Sequence, residues 1–150
     1  MPSTSTDSLH SLLTMTVVAI ILTCSFGLYV DLLKQVSEVN QLKEILRQVA
    51  ARAAESIDMV AENGAALSVV IRLPLRVGSR DYWLRFSNDS SSAWLEGAFG
   101  VSPRSEEQEY RVYLPQKVKA SGTFEGRYGL AQLSCSLSGS VPQITLSLLE

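Results

Sequence analysis

The sequence predicts an α+β chain: a long N-terminal helix, first transmembrane and then amphipathic, packed on a small antiparallel β-sheet or sandwich domain. Three observations carry this. No formally charged residue lies between His10 and Asp31, neither Pro nor Gly occurs from Asp31 to Glu62, and after Gly64 the hydrophobic period falls to 2. These changes divide the chain into a tail at 1–11, a transmembrane helix at 12–30, an amphipathic helical stalk at 31–63 and an antiparallel β-domain at 64–150.

The apolar run reads LLTMTVVAIILTCSFGLYV, from Leu12 to Val30. At about 1.5 Å per residue it spans about 28 Å, close to the ~30 Å hydrocarbon core of a bilayer. Tyr29 stands at its far end, where an amphipathic ring favours the interface. A cleaved signal peptide would need a basic start and a small-residue cleavage site, and neither is present, so an uncleaved anchor is expected. Within the run, Ala19, Thr23 and Gly27 recur every fourth residue. They form a stripe of small side chains that lets a second helix approach closely in lipid.

In the stalk, Leu32, Val39, Leu46, Ala53 and Val60 recur every seventh residue, with Leu42 and Val49 completing two a/d pairs. Glu44 with Arg47, and Arg52 with Glu55, are spaced as charge pairs on a helix surface. Asn63-Gly64 is a C-terminal stop signal. The apolar seam of Leu32, Val39, Leu42, Leu46 and Val49 has two compatible destinations, the chain's own sheet or the helix of another subunit.

The β-domain is expected to hold about six short strands. Leu67, Val69, Ile71 and Leu73 alternate up to Pro74, and Tyr82, Leu84 and Phe86 alternate after a turn at Val77–Asp81. Ala93-Trp94-Leu95 is a short strand, Gly100 to Gln108 an exposed loop, and Tyr110 to Leu114 a further strand. A strand within Gly129–Ser138 and a last one through Ile144, Leu146 and Leu148 flank the Gly139-Ser140 turn. An apolar sheet face needs a cover, which the stalk can supply.

The chemistry excludes several function classes. Thirteen Lys and Arg against 15 Asp and Glu give a net charge of -2, which offers no basic face for nucleic acid. The one histidine, His10, precedes the apolar run, so no Ser-His-Asp or Cys-His set can form in the β-domain. The phosphate-binding glycine loop, the dinucleotide fingerprint and HExxH are all absent. Glu106, Glu107 and Glu109 read as a solvated loop, and Cys24 and Cys135 as unpaired apolar side chains. No catalytic residue, cofactor, metal or small-molecule substrate is expected. The expected partners are the lipid bilayer and copies of the chain or related subunits.

Orientation receives opposing signals. Lys34, Lys43 and Arg47 follow the span while the tail has no Lys or Arg, which by the positive-inside rule would leave the β-domain in the cytoplasm. Its Ser-, Gly- and Arg-rich, Lys-poor composition is that of an exported domain, and Asn88-Asp89-Ser90 is an acceptor sequon for glycosylation in a turn. An extracellular β-domain is the expectation adopted.

The layout of apolar segment, unbroken amphipathic continuation and compact β-domain, with the stretch VIRLPLRVGSRDYWLRF, resembles the archaeal type IV pilin-like proteins, which include pilins, archaellins and archaellum accessory subunits. The resemblance covers nearly the whole chain. It implies an outward-facing head, a helix bundled with its neighbours, and no catalysis. The stretch Ser8-Leu9-His10-Ser11 departs from the family pattern by lacking a basic residue before the apolar run. The N-terminal tail is therefore expected to be retained, as in an accessory subunit of a cell-surface filament. Two other roles fit the same layout: a bitopic scaffold of a division or secretion complex, and a surface module for carbohydrate or S-layer presenting Tyr82, Trp83 and Trp94.

Overall fold

The structure is a computed structural model and describes residues 3–103, 109–114 and 117–149. One helix, α1, runs Ser3–Asn63. Seven strands follow: β1 Leu67–Arg72, β2 Tyr82–Asn88, β3 Ala93–Phe99, β4 Tyr110–Tyr113, β5 Lys119–Glu125, β6 Leu130–Ser138 and β7 Val141–Leu148, with a 3-10 turn at Gly126–Tyr128. The chain divides into two compact units, Met1–Ser37 and Glu38–Glu150. The division falls inside the expected stalk because burial, which begins at Glu38 and Val39, sets it, and not the charge at Asp31.

In the first unit the residues of α1 from Ser8 to Ser37 are all exposed. Each of its large apolar side chains from Leu9 to Val36 is between 45% and 76% exposed. In the second unit Leu42, Ile45, Leu46, Val49, Ala50, Ala53, Ile57 and Val60 are buried, at the three- and four-residue spacing of one helix face. The expected charge pairs form on the opposite, solvated side, Arg47 with Glu44 at 3.7 Å and Arg52 with Glu55 at 3.0 Å. The helix ends as its sequence dictates: Gly64 takes φ +68 and its N–H donates to the Val60 carbonyl at 2.9 Å.

The strands join in one sheet of order β1-β6-β7-β5-β2-β3-β4. Each adjacent pair is antiparallel except β5 with β7, which is parallel. The sheet therefore has one more strand than the alternation suggested, and β3 runs on to Phe99. The added strand, β5, joins the two halves of the sheet. Its residues Lys119 to Gly122 pair with β7 and Thr123 to Glu125 with β2. At the change of partner Gly122 has φ +110, and a Cβ there would run into the Leu146 carbonyl, so only glycine permits the approach.

Tyr82, Leu84, Phe86, Leu95, Phe124, Leu133, Ile144 and Leu146 point from the sheet into one core with the buried face of α1. Burying a side chain of this size stabilises a fold by about 1.5–3 kcal/mol. This core is why the second half of α1 belongs to the β-domain. Tyr82 carries its hydroxyl into the core only because the Pro74 carbonyl accepts its proton at 2.7 Å, and burial pushes that hydroxyl's pKa up.

Candidate functional site

Two regions hold side chains that the folding of the core does not use. The first is the exposed part of α1. Its polar side chains turn inward on the helix itself: the hydroxyls of Thr14, Thr16, Thr23 and Ser25 each donate to the carbonyl four residues earlier at 2.8 Å. A segment satisfied in this way presents an apolar surface and leaves few groups that need water. By length and composition α1 is long and apolar enough to cross a membrane.

Ala19, Thr23 and Gly27 lie on this surface, and a Cβ added at Gly27 meets nothing within 4 Å. The stripe is therefore open. Leu32 is also exposed, but it follows Thr23 by nine residues, about 180° round a helix turning about 100° per residue. It belongs to the opposite face and does not extend the stripe. The rest of the expected seam is corrected more strongly. Leu42, Leu46 and Val49 are fully buried in the core and Val39 packs against it, so none of them is offered to a neighbouring helix. The seam's periodicity is that of a helix covering its own sheet.

The second region is the face of β2, β3 and β4 turned away from α1. Glu96 sits there, 1% exposed, and its carboxylate gathers four donors. It accepts from Arg85 Nε, from the Ser87 hydroxyl at 2.9 Å and from the Trp94 indole N–H at 2.9 Å, and pairs with Arg111 Nε at 3.2 Å. Burial pushes the Glu96 carboxyl up, but the hydrogen bonds from Trp94, Arg85 and Ser87 and the charge of Arg85 outweigh it and hold the group below the usual carboxylate range. Arg85 and Arg111 reach on to Glu109 at 3.5 Å and 3.3 Å. Glu109 is therefore an ion-pair partner rather than a solvated loop residue, while Glu106 and Glu107 lie outside the described residues.

Arg85 stacks over Trp83 at 5.5 Å and Arg111 over Trp94 at 5.5 Å, and the Trp94 and Tyr113 rings lie 6.0 Å apart. Of the three aromatics expected as a platform, Tyr82 belongs to the core and Trp83 is wholly buried. Only Trp94 is half-exposed, and Tyr113, which sequence reasoning passed over, stands beside it at 63% exposure. The two carboxylates, Glu96 and Glu109, are matched charge for charge by Arg85 and Arg111, which makes the cluster a brace across three strands.

Asn88 is exposed at the end of β2, in front of a turn in which Asp89 accepts from the Ser91 and Ser92 backbone N–H groups at 2.8 Å and 2.7 Å. Those two bonds hold the Asp89 carboxyl below its ordinary pKa. Cys24 is exposed and Cys135 buried, both as free thiols. Among the described residues no three His, Cys, Asp or Glu side chains converge where a metal ion could be held. Comparison with protein-family models, with curated proteins and with solved structures gives no match.

Proposed function

We propose that the chain is a non-enzymatic, single-pass membrane protein of pilin-like architecture. In this reading its apolar helix anchors it and packs against like helices, and its β-domain stands outside the cell, on or supporting a surface filament. The observation that carries this is the change of burial along α1. From Leu9 to Val36 each large apolar side chain is exposed, and from Val39 onward the inward face is enclosed. Sixteen large apolar side chains left in water would cost far more than a small domain's net stability. They need lipid or other helices around them. The open Ala19–Thr23–Gly27 stripe favours helices as part of that surrounding.

The test is chemical crosslinking of the full chain in its native membrane, with Gly27→Leu beside it. Intermolecular products that fall several-fold in the variant, with the β-domain melting unchanged, support the reading. Equal crosslinking in both removes the helix as the assembly element. A solitary surface module would then be favoured, with Trp94 and Tyr113 as its remaining aromatic pair.

A further inference from the structure

We propose that the free edge of β1 pairs with the free edge of β4 in a second copy of the chain, continuing one sheet from domain to domain. This rests on the membrane-anchor reading above for one point, that neighbouring copies share a membrane. β1 and β4 are the two ends of the sheet, and among the described residues neither has a second neighbouring strand. An open edge is a template for another strand, and neither β1 nor β4 contains the Lys or Pro that commonly guards one.

The backbone groups on offer follow from the ladders. The Leu73 N–H donates to the Gly129 carbonyl, one step past the pair of Arg72 with Leu130. Hydrogen-bonded pairs alternate along an antiparallel ladder, so Leu67, Val69 and Ile71 bond β6, while Ser68, Val70 and Arg72 turn their backbone groups outward. The Leu114 N–H donates to the Ala93 carbonyl, one step past the pair of Tyr113 with Trp94. By the same alternation Arg111 and Tyr113 turn theirs outward. On both strands these outward residues carry the exposed side chains, on the face away from α1. Residues directly opposite each other share a face, so sheets joined at these edges keep core side with core side.

Strand direction selects the partner edge. Because β5 and β7 are the one parallel pair, β4 runs opposite in direction to β1. A copy set alongside in the same orientation therefore brings its β4 antiparallel to β1, and the sheet-packed parts of α1 point the same way. Two β1 strands joined by a twofold axis would run those helices in opposite directions, and the chain would enter the two domains from opposite ends.

One register matches the side chains. It sets Ser68 opposite Tyr113, Val70 opposite Arg111 and Arg72 opposite Glu109 on the outer face. On the core side Leu67 meets Leu114, Val69 meets Val112 and Ile71 meets Tyr110. Leu67, Ile71, Tyr110 and Val112 are the sheet side chains that pack on the core but stay only partly buried, so each gains a neighbour where its own domain ends. Shifting by one hydrogen-bonded pair sets Arg72 against Arg111 in one direction and Val70 against Glu109 in the other.

The test is disulfide crosslinking of two full chains present together in membranes, both Cys24→Ser, one with Ser68→Cys and the other, tagged, with Tyr113→Cys. The membranes are washed in alkaline carbonate first. The mixed 68–113 disulfide is expected to exceed the 68–68 and 113–113 products several-fold. Adding Val70→Lys to the first chain sets a lysine against the neighbour's Arg111, and should lower the mixed product several-fold while the thermal melt stays unchanged. A chain that resists the wash but gives no excess of mixed disulfide overturns the edge pairing and leaves the anchor standing. A mixed product that ignores Val70→Lys overturns the pairing as well. A chain released by the wash overturns the anchor reading, and this proposal falls with it.

Discussion

Gly97 on β3 lies beneath Leu46 of α1. A Cβ built on that glycine would stand 3.2 Å from Leu46 Cδ2 and 2.8 Å from the Trp83 carbonyl oxygen. The helix thus comes down on the sheet where the sheet has no side chain, and Leu46 fills the space left. Leu46→Ala should cost about 2–5 kcal/mol of domain stability by opening a cavity. Gly97→Ala should cost about 1–3 kcal/mol by overpacking the same contact. Denaturant unfolding of the chain in detergent, followed by tryptophan fluorescence, measures both. A Leu46→Ala variant that unfolds like the parent would show that Leu46 serves an intermolecular contact instead.

The brace on the far face of the sheet predicts an acid response. The folded pKa of Glu96 is held below its unfolded value, so its contribution to stability is complete above the ordinary carboxylate value of about 4.3 and is lost as pH falls through the folded value. Melting temperature should therefore hold from neutral pH to about pH 5 and decline below that. Glu96→Gln, which removes the charge from two arginines and one of the two acceptor oxygens, should cost about 1–3 kcal/mol at neutral pH and flatten the acid decline. An unchanged acid slope in that variant would assign the decline to other carboxylates.

Topology has a direct readout at the sequon end of the domain. Asn88 and its turn are exposed, and the proposed placement of the β-domain outside the cell predicts that protease added to intact cells removes the domain and leaves the apolar helix behind. Protection until the cells are lysed would reverse the orientation and restore the positive-inside reading of Lys34, Lys43 and Arg47.

Much of this fold is legible in the sequence because single physical signals set it. The seven-residue recurrence of Leu46, Ala53 and Val60 marks side chains that are all fully buried, and Gly64 ends the helix where a left-handed residue is needed. β5 is illegible because its inward positions are Ala120, Gly122 and Phe124, so the alternation reduces to one large side chain, and its glycine reads as a breaker. The cluster around Glu96 is hidden for a related reason. Trp83, Arg85, Glu96 and Arg111 look like a solvated face strand by strand, and only the pairing of Arg85 with Glu96 and of Glu96 with Arg111 closes the charges on one another. The seam was visible as a pattern, but periodicity cannot tell a helix that covers its own sheet from one that covers another helix.

The central claim is that the exposed part of α1 packs against like helices through its small-residue stripe. Disulfide crosslinking tests it most directly, in native membranes, with single cysteines in the Cys24→Ser background. Ala19→Cys, Thr23→Cys and Gly27→Cys sample the stripe, while Ile21→Cys and Leu32→Cys, each roughly opposite Thr23 at about 100° per residue, sample the other side. Strong dimer formation at 19, 23 and 27 with little at 21 and 32 is the predicted result. Equal crosslinking at all five positions, or at none, would contradict it.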